Sequence, residues 1–219
     1  MAAPAFAQPP VLLVVGDSLG AGYGLPQGRS WVDLLQQRIA RENLDYRVVN
    51  ASISGDTTLG GRNRLERLLA QHRPRVVIIE LGGNDGLRGQ PVETMRENLT
   101  AMVRAARKAG ARTLLIGMQI PPNYGQQYTR KFQDAFAQVA RDEQVPLVPF
   151  LLDGFADKRE LFQADGIHPS EQAQPLMVDT VWPRLAPLLQ APPQAARTPG
   201  AGRALPLLAF GLWPLASSL

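Results

Sequence analysis

Val11-Leu12-Leu13-Val14-Val15-Gly16-Asp17-Ser18-Leu19-Gly20 joins an unbroken apolar run to a small, polar, glycine-flanked turn. A strand with one wet face alternates apolar and polar residues. A strand covered on both faces, as in a parallel sheet, does not. Runs of similar kind recur at residues 47–50, 76–81, 113–118 and 146–151. Between them the apolar residues take helical spacing. Trp31, Leu34, Leu35 and Ile39 share one face, and Leu65, Leu68 and Leu69 another. Met95, Leu99, Met102, Val103 and Ala106 follow the same period, as do Phe132, Phe136, Val139 and Ala140. A last helix is expected from Ser170, as N-cap, to Leu189. Strands alternating with helices predict an α/β fold, a three-layer α/β/α sandwich with a five-stranded parallel sheet. In such sheets ligands bind outside the carboxyl ends of the strands, so functional residues should follow the strands directly.

Composition narrows the chemistry. The chain has 219 residues, of which 45% are hydrophobic and 19% charged, the balance of one globular domain. Cysteine is absent, which removes disulfides, thiolate metal sites and a cysteine nucleophile. His72 and His168 are the two histidines, so a histidine-rich metal centre is not expected. The net charge of +4 is mild. The clusters Arg62, Arg64, Arg67 and Arg104, Arg107, Lys108 read as solvated helix faces, and no aromatic platform accompanies them, so no nucleic-acid partner is expected. His72 ends a predicted helix and reads as a partner of its C-terminal dipole.

The two ends differ from the middle. Ala5-Phe6-Ala7 before Gln8 resembles the small-x-small end of a secretory signal peptide, without the charged and apolar regions that normally precede it. Residues 1–9 are therefore read as a remnant of such a peptide or a flexible terminus, and the protein as periplasmic or secreted. Residues 10–190 form the expected folded domain, and residues 191–219 a disordered or non-native tail. The apolar part of that tail, residues 205–215, is shorter than the about 20 residues a spanning helix needs, and prolines interrupt it. No stable membrane insertion is expected, and deletion of the tail should leave activity intact.

Four places after predicted strands or beside the last helix carry reactive or polar groups. They are Gly16-Asp17-Ser18-Leu19-Gly20, Ser52-Ile53-Ser54-Gly55-Asp56, Gly82-Gly83-Asn84-Asp85 and Asp165-Gly166-Ile167-His168-Pro169. Taken singly each has a plain reading: Ser18 as a helix cap, the Gly82–Asp85 segment as a turn, the Asp165–His168 pair as a loop hydrogen bond. Together they supply the groups that ester cleavage needs. Ser18 would be the nucleophile, His168 the base that takes its proton, and Asp165 the carboxylate that orients the imidazole. The N–H groups of Ser18 and Gly55 and the Asn84 amide would receive the oxyanion, each donor worth about 2.7–4 kcal/mol of barrier. The segment Gly16–Gly20 also fits the G-x-S-x-G elbow of the α/β-hydrolases. Its context argues against that fold: it follows the first strand, and acid and base share one loop.

The four blocks in this order resemble the SGNH, or GDSL, hydrolase family over roughly residues 10–190. Val49-Asn50-Ala51-Ser52-Ile53-Ser54-Gly55-Asp56-Thr57-Thr58, the segment Glu80–Gly89 and Pro121-Pro122-Asn123-Tyr124-Gly125 are similar to its bacterial periplasmic thioesterase I / lysophospholipase L1 / arylesterase subgroup. That subgroup often has serine where this chain has Gly20. The resemblance implies a flavodoxin-like sandwich, a shallow site, no cofactor, and small-molecule substrates: carboxylic esters and acyl thioesters, lysophospholipids among them. It also implies that the loop 84–91 moves when acyl chains bind, for which Gly86 and Gly89 would give the freedom. Leu87, Ile120, Pro121 and Ile167 are candidates for the acyl groove, and the expected state is a monomer. Two alternatives stay open: an esterase of sugar O-acetyl groups, and a non-catalytic flavodoxin-like binding module. Against the module stand the missing glycine-rich helix opening and P-loop lysine.

Overall fold

The computed structural model describes residues 8–192. The readings of residues 1–7 and 193–219 fall outside the described residues. Five strands, β1 (Val11–Gly16), β2 (Arg47–Asn50), β3 (Val76–Glu80), β4 (Arg112–Ile116) and β5 (Leu147–Val148), form one sheet in the order β2-β1-β3-β4-β5. Every pairing is parallel. The central strands β1 and β3 are buried at every position, as their unbroken apolar runs predict. β5 is shorter than its apolar run, because beyond Val148 the chain turns away through residues 151–157.

The helices are α1 (Ser18–Ala21), α2 (Trp31–Arg41), α3 (Thr58–His72), α4 (Gly83–Leu87), α5 (Val92–Lys108), α6 (Gln126–Asp142) and α7 (Gln174–Gln190). α2 and α7 pack on each other, α3 and α6 each pack on α5, and the sheet lies between the two groups. The predicted apolar faces are the buried ones. Met95, Leu99, Met102, Val103 and Ala106 of α5 enter the core with Phe132, Phe136, Val139 and Ala140 of α6. Phe132 and Phe136 meet edge to face at 5.4 Å. Ser30 closes a capping box with Asp33 at the start of α2. Among the described residues no helix is long and apolar enough to cross a membrane.

The last helix starts differently from the expectation. Ser170 makes no side-chain cap; a 3-10 turn over Glu171–Ala173 comes first, and α7 begins at Gln174. Pro175 has no N–H to give to a carbonyl one turn earlier, and it lies in the first turn of α7, where none is needed. Gln174 ties the helix start in place instead: its Nε2 donates to Ser170 O and its Oε1 accepts from Trp31 N–H, joining α7 to α2.

The strand order fixes where a site can form. From β1 the chain crosses to β2 on one flank, then returns to β3 on the other. The crevice beyond the carboxyl ends of β1 and β3 is the switch point of the sheet. Ser18 follows β1 and Asn84 follows β3 there.

Candidate active site

Each of the four blocks is shaped by local backbone requirements. After β1, Asp17 caps α1, its carboxylate accepting from Leu19 N–H at 3.0 Å, and Ser18 opens the helix. After β2, Ile53 N–H donates to Gly16 O, and Asp56 N–H closes a tight turn onto Ile53 O. Gly55 takes φ +79° in that turn, the left-handed region that a side chain disfavours. After β3, Gly82 at φ +119° turns the chain into α4, and Asn84 lies in its first turn. The segment read from composition as a turn is therefore this short helix. Before α7, Asp165 Oδ1 accepts from Ile167 N–H and His168 N–H, with Gly166 at φ +71° between them.

The blocks converge. His168 Nε2 stands 3.0 Å from Ser18 Oγ, and His168 Nδ1 stands 2.7 Å from Asp165 Oδ2. The Asp165 carboxyl is held down to about 2, chiefly by its hydrogen bond with His168 and then by the two backbone N–H groups. As an ionised acceptor it places the imidazole proton on Nδ1, which leaves the Nε2 lone pair facing the serine hydroxyl. The Tyr23 ring lies against the imidazole, centroids 4.5 Å apart and tilted by 38°. Gln163 Nε2 donates to Tyr23 O and to Pro169 O, joining the segment after Ser18 to the histidine loop. The Arg159 guanidinium donates to Gln163 O and Ala164 O and braces that loop from the other side. Ser18 and His168 are half-buried and Asp165 is exposed, so the site opens directly to solvent.

The three expected oxyanion donors differ in how free they are. Neither Ser18 N–H nor Gly55 N–H is taken up by an acceptor among the described residues. Asn84 Nδ2 donates to Asp17 Oδ2 at 3.1 Å and to Asp56 O at 2.9 Å. The amide is fixed in place, and an oxyanion reaching it must share one of these N–H bonds.

The groove candidates separate. Leu87 and Ile167 are exposed, 37% and 54% respectively, and Pro121 is exposed too. Ile120 is buried in the core; a Cβ on Gly86 would stand 2.7 Å from its Cγ2 and 2.6 Å from Phe132. Ile120 thus supports α4 from below, and Gly86 serves close packing. The loop that follows α4 is tied at three points: Arg88 to Gly55 O, Tyr124 Oη to Leu87 O, and Tyr128 Oη to Gln90 O.

Two residues were missed in the sequence. Arg64, grouped there with a solvated face, is largely buried: its Nε pairs with Asp56 Oδ2 at 2.8 Å, and its guanidinium also reaches Ala51 O and Gly16 O. One side chain from α3 thereby ties the ends of β1 and β2 together. Glu80, the last residue of β3, is wholly buried under the Ser18 turn. Its signal was present: an ionisable residue inside the run Val76-Val77-Ile78-Ile79-Glu80-Leu81.

A five-stranded parallel sandwich with these four blocks at its switch point defines the SGNH hydrolase class of enzymes. The chain belongs to the GDSL-like lipase/acylhydrolase family, whose profile matches residues 14–175. It is similar to the esterase TesA of Pseudomonas aeruginosa, 53% identical over 178 residues, covering 81% of this chain and 89% of that protein. Thioesterase 1/protease 1/lysophospholipase L1 of Escherichia coli is 41% identical, covering 81% of this chain and 84% of that one. Among solved structures, the psychrotrophic esterase EstA from Pseudoalteromonas sp., inhibited by monoethylphosphonate, superposes with a TM-score of 0.78 at 44% identity, covering 83% of this chain and 99% of that one.

Proposed function

We propose that the protein cleaves carboxylic esters and acyl thioesters through an acyl-enzyme on Ser18. The observation that carries this reading is the unbroken relay from Ser18 Oγ through the imidazole of His168 to Asp165, with contacts of 3.0 and 2.7 Å. Ser18 Oγ attacks the carbonyl carbon while His168 Nε2 takes its proton. The carbonyl oxygen becomes an oxyanion facing the Ser18 and Gly55 N–H groups and the Asn84 amide. Collapse of the adduct breaks the bond to the alcohol or thiol, which leaves with the proton from His168. Water then attacks the acyl-enzyme, again giving its proton to His168, and Ser18 is released with the free acid. Asp165 holds the Nδ1 proton throughout and stabilises the imidazolium.

The named activities of the relatives, esterase and thioesterase/lysophospholipase, support this substrate range. Exposed Leu87 and Ile167 beside the site are suited to an acyl chain that lies along the surface. The test is covalent: a p-nitrophenyl alkylphosphonate should add one phosphonyl group, located by peptide mass spectrometry on Ser18, as activity toward p-nitrophenyl esters and acyl-CoA disappears. Inactivation without modification of Ser18, or labelling elsewhere, overturns the assignment.

A further inference from the structure

Under the Ser18 turn lies a carboxyl that the acyl-transfer scheme does not use. Glu80 stands opposite Gly16 in the parallel register of β1 and β3. Its Oε2 accepts from Asp17 N–H at 3.3 Å and from Gly20 N–H at 3.2 Å, one on each side of the serine. The glycines are fitted to it: a Cβ on Gly16 would come within 2.4 Å of Glu80 Oε2, and one on Gly20 within 3.0 Å. The second oxygen, Oε1, is buried without a hydrogen-bond partner among the described residues.

The neighbouring charges are few and on named elements. Asp17 is itself buried and faces both His168 and Asp56. Arg64 of α3 reaches Gly16 O above the pair, and Asp85 of α4 is occupied by Thr58. Two adjacent carboxyls with little water cannot both ionise readily, so one proton is shared between them. Burial, and then the Asp17 charge, push Glu80 well above the usual carboxylate range. Burial also raises Asp17, but hydrogen bonds from Leu19 and Asn84 and the nearby His168 hold it at about 6.

We propose that Glu80 is a positioning residue: its carboxyl grips the backbone on both sides of Ser18 and, through Asp17, whose N–H it holds, fixes the Asn84 amide. This rests on Ser18 being the nucleophile. A hydrogen-bond acceptor at this place sets the height and direction of the serine, and Asp17 Oδ2 sets the donor that faces the oxyanion.

The full chain and its E80Q, E80M and D17N variants are compared on a short p-nitrophenyl ester across the acid limb, with thermal melting as the check of folding. E80Q keeps a neutral acceptor in place, and kcat should stay within about threefold, less than the net worth of one hydrogen bond. E80M offers no acceptor; kcat should fall about 10²-fold at unchanged KM, with slower phosphonylation of Ser18, as expected when a reacting group is displaced. D17N keeps one acceptor oxygen for two donors, Leu19 N–H and Asn84 Nδ2, and should lower kcat at unchanged KM. A folded E80M with wild-type kcat overturns the proposal, as does an E80Q that folds yet is as impaired as E80M. If E80M does not fold, a folded D17N variant with wild-type kcat overturns it. A wild-type protein that neither cleaves the ester nor is labelled at Ser18 is a different result, and defeats the nucleophile assignment itself.

Discussion

Ser18 Oγ and His168 Nε2 meet at 3.0 Å although 150 positions separate them in the chain. One sits at the end of the first strand and the other just before the last helix, so nearly the whole domain must fold before the pair exists. Their removal gives the most direct prediction. Ser18→Ala and His168→Ala should each lower kcat by about 10⁴–10⁶, and Asp165→Ala by less, with KM little changed. Steady-state kinetics on p-nitrophenyl butyrate will measure this. A His168→Ala variant retaining a tenth or so of kcat would remove the imidazole from the reaction.

Gly55→Ala separates backbone strain from steric clash. The nearest atom to a Cβ there is Arg88 Nη2 at 3.8 Å, so space is ample, but φ is +79°. The substitution should cost about 1–2 kcal/mol of stability from the left-handed backbone alone. If the turn relaxes to escape that strain, its N–H leaves the oxyanion and kcat falls about tenfold or more. Urea denaturation and kcat together test this; a destabilised variant with wild-type kcat would show that Gly55 N–H is not a donor.

Arg64→Met should be among the most damaging changes outside the relay. The guanidinium and Asp56 carboxylate are only 14% and 11% exposed, so the variant leaves a largely buried charge unpaired. The expected loss is about 3 kcal/mol by chemical denaturation. Asp56 O also holds the Asn84 amide, so kcat should fall in molecules that remain folded. Adding Asp56→Asn should recover part of the stability, because the orphaned charge disappears with it.

Stability should depend on pH through the pair below Ser18. Asp17 has a folded-state value of about 6 against 3.8, so the native state holds its proton more tightly than the unfolded chain. Stability from this group is complete below the unfolded value and declines as pH rises from about 4 to 6. Glu80, also raised by burial, acts in the same sense, and its contribution too declines as pH rises. Asp165, lowered to about 2, acts in the opposite sense and loses its contribution only in stronger acid. Glu80→Gln should therefore flatten the alkaline side of a plot of Tm against pH. An unchanged slope would mean that Glu80 does not carry the proton.

Part of this site could be located in sequence because Ser18 and Asn84 closely follow strands. Unbroken apolar runs marked β1 and β3, and the polar residues directly after them had to lie at the sheet's carboxyl edge. Other details were hidden. Periodicity places Arg64 on a helix beside Arg62 and Arg67 but does not show that the end of β2 folds over it. Gly86 and Gly89 look alike as possible hinges. Gly86 is closed in by Phe132 and Ile120, whereas Gly89, at φ +63°, has open space around it. Proline, with φ fixed near −65° and no N–H, does not fit at Gly89, whose N–H bonds Gly86 O.

The sequence by itself determined the layered α/β architecture, the apolar faces of the helices and which side chains are candidates for the proposed chemistry. These follow from burial pattern and functional-group chemistry, which are local properties of the chain. Only the tertiary structure decided how close Ser18 comes to His168, which side-chain donors are already engaged, and that Glu80 lies beneath the nucleophile with almost no water. Distances, shared protons and desolvation depend on groups brought together from distant segments, and no local pattern encodes them.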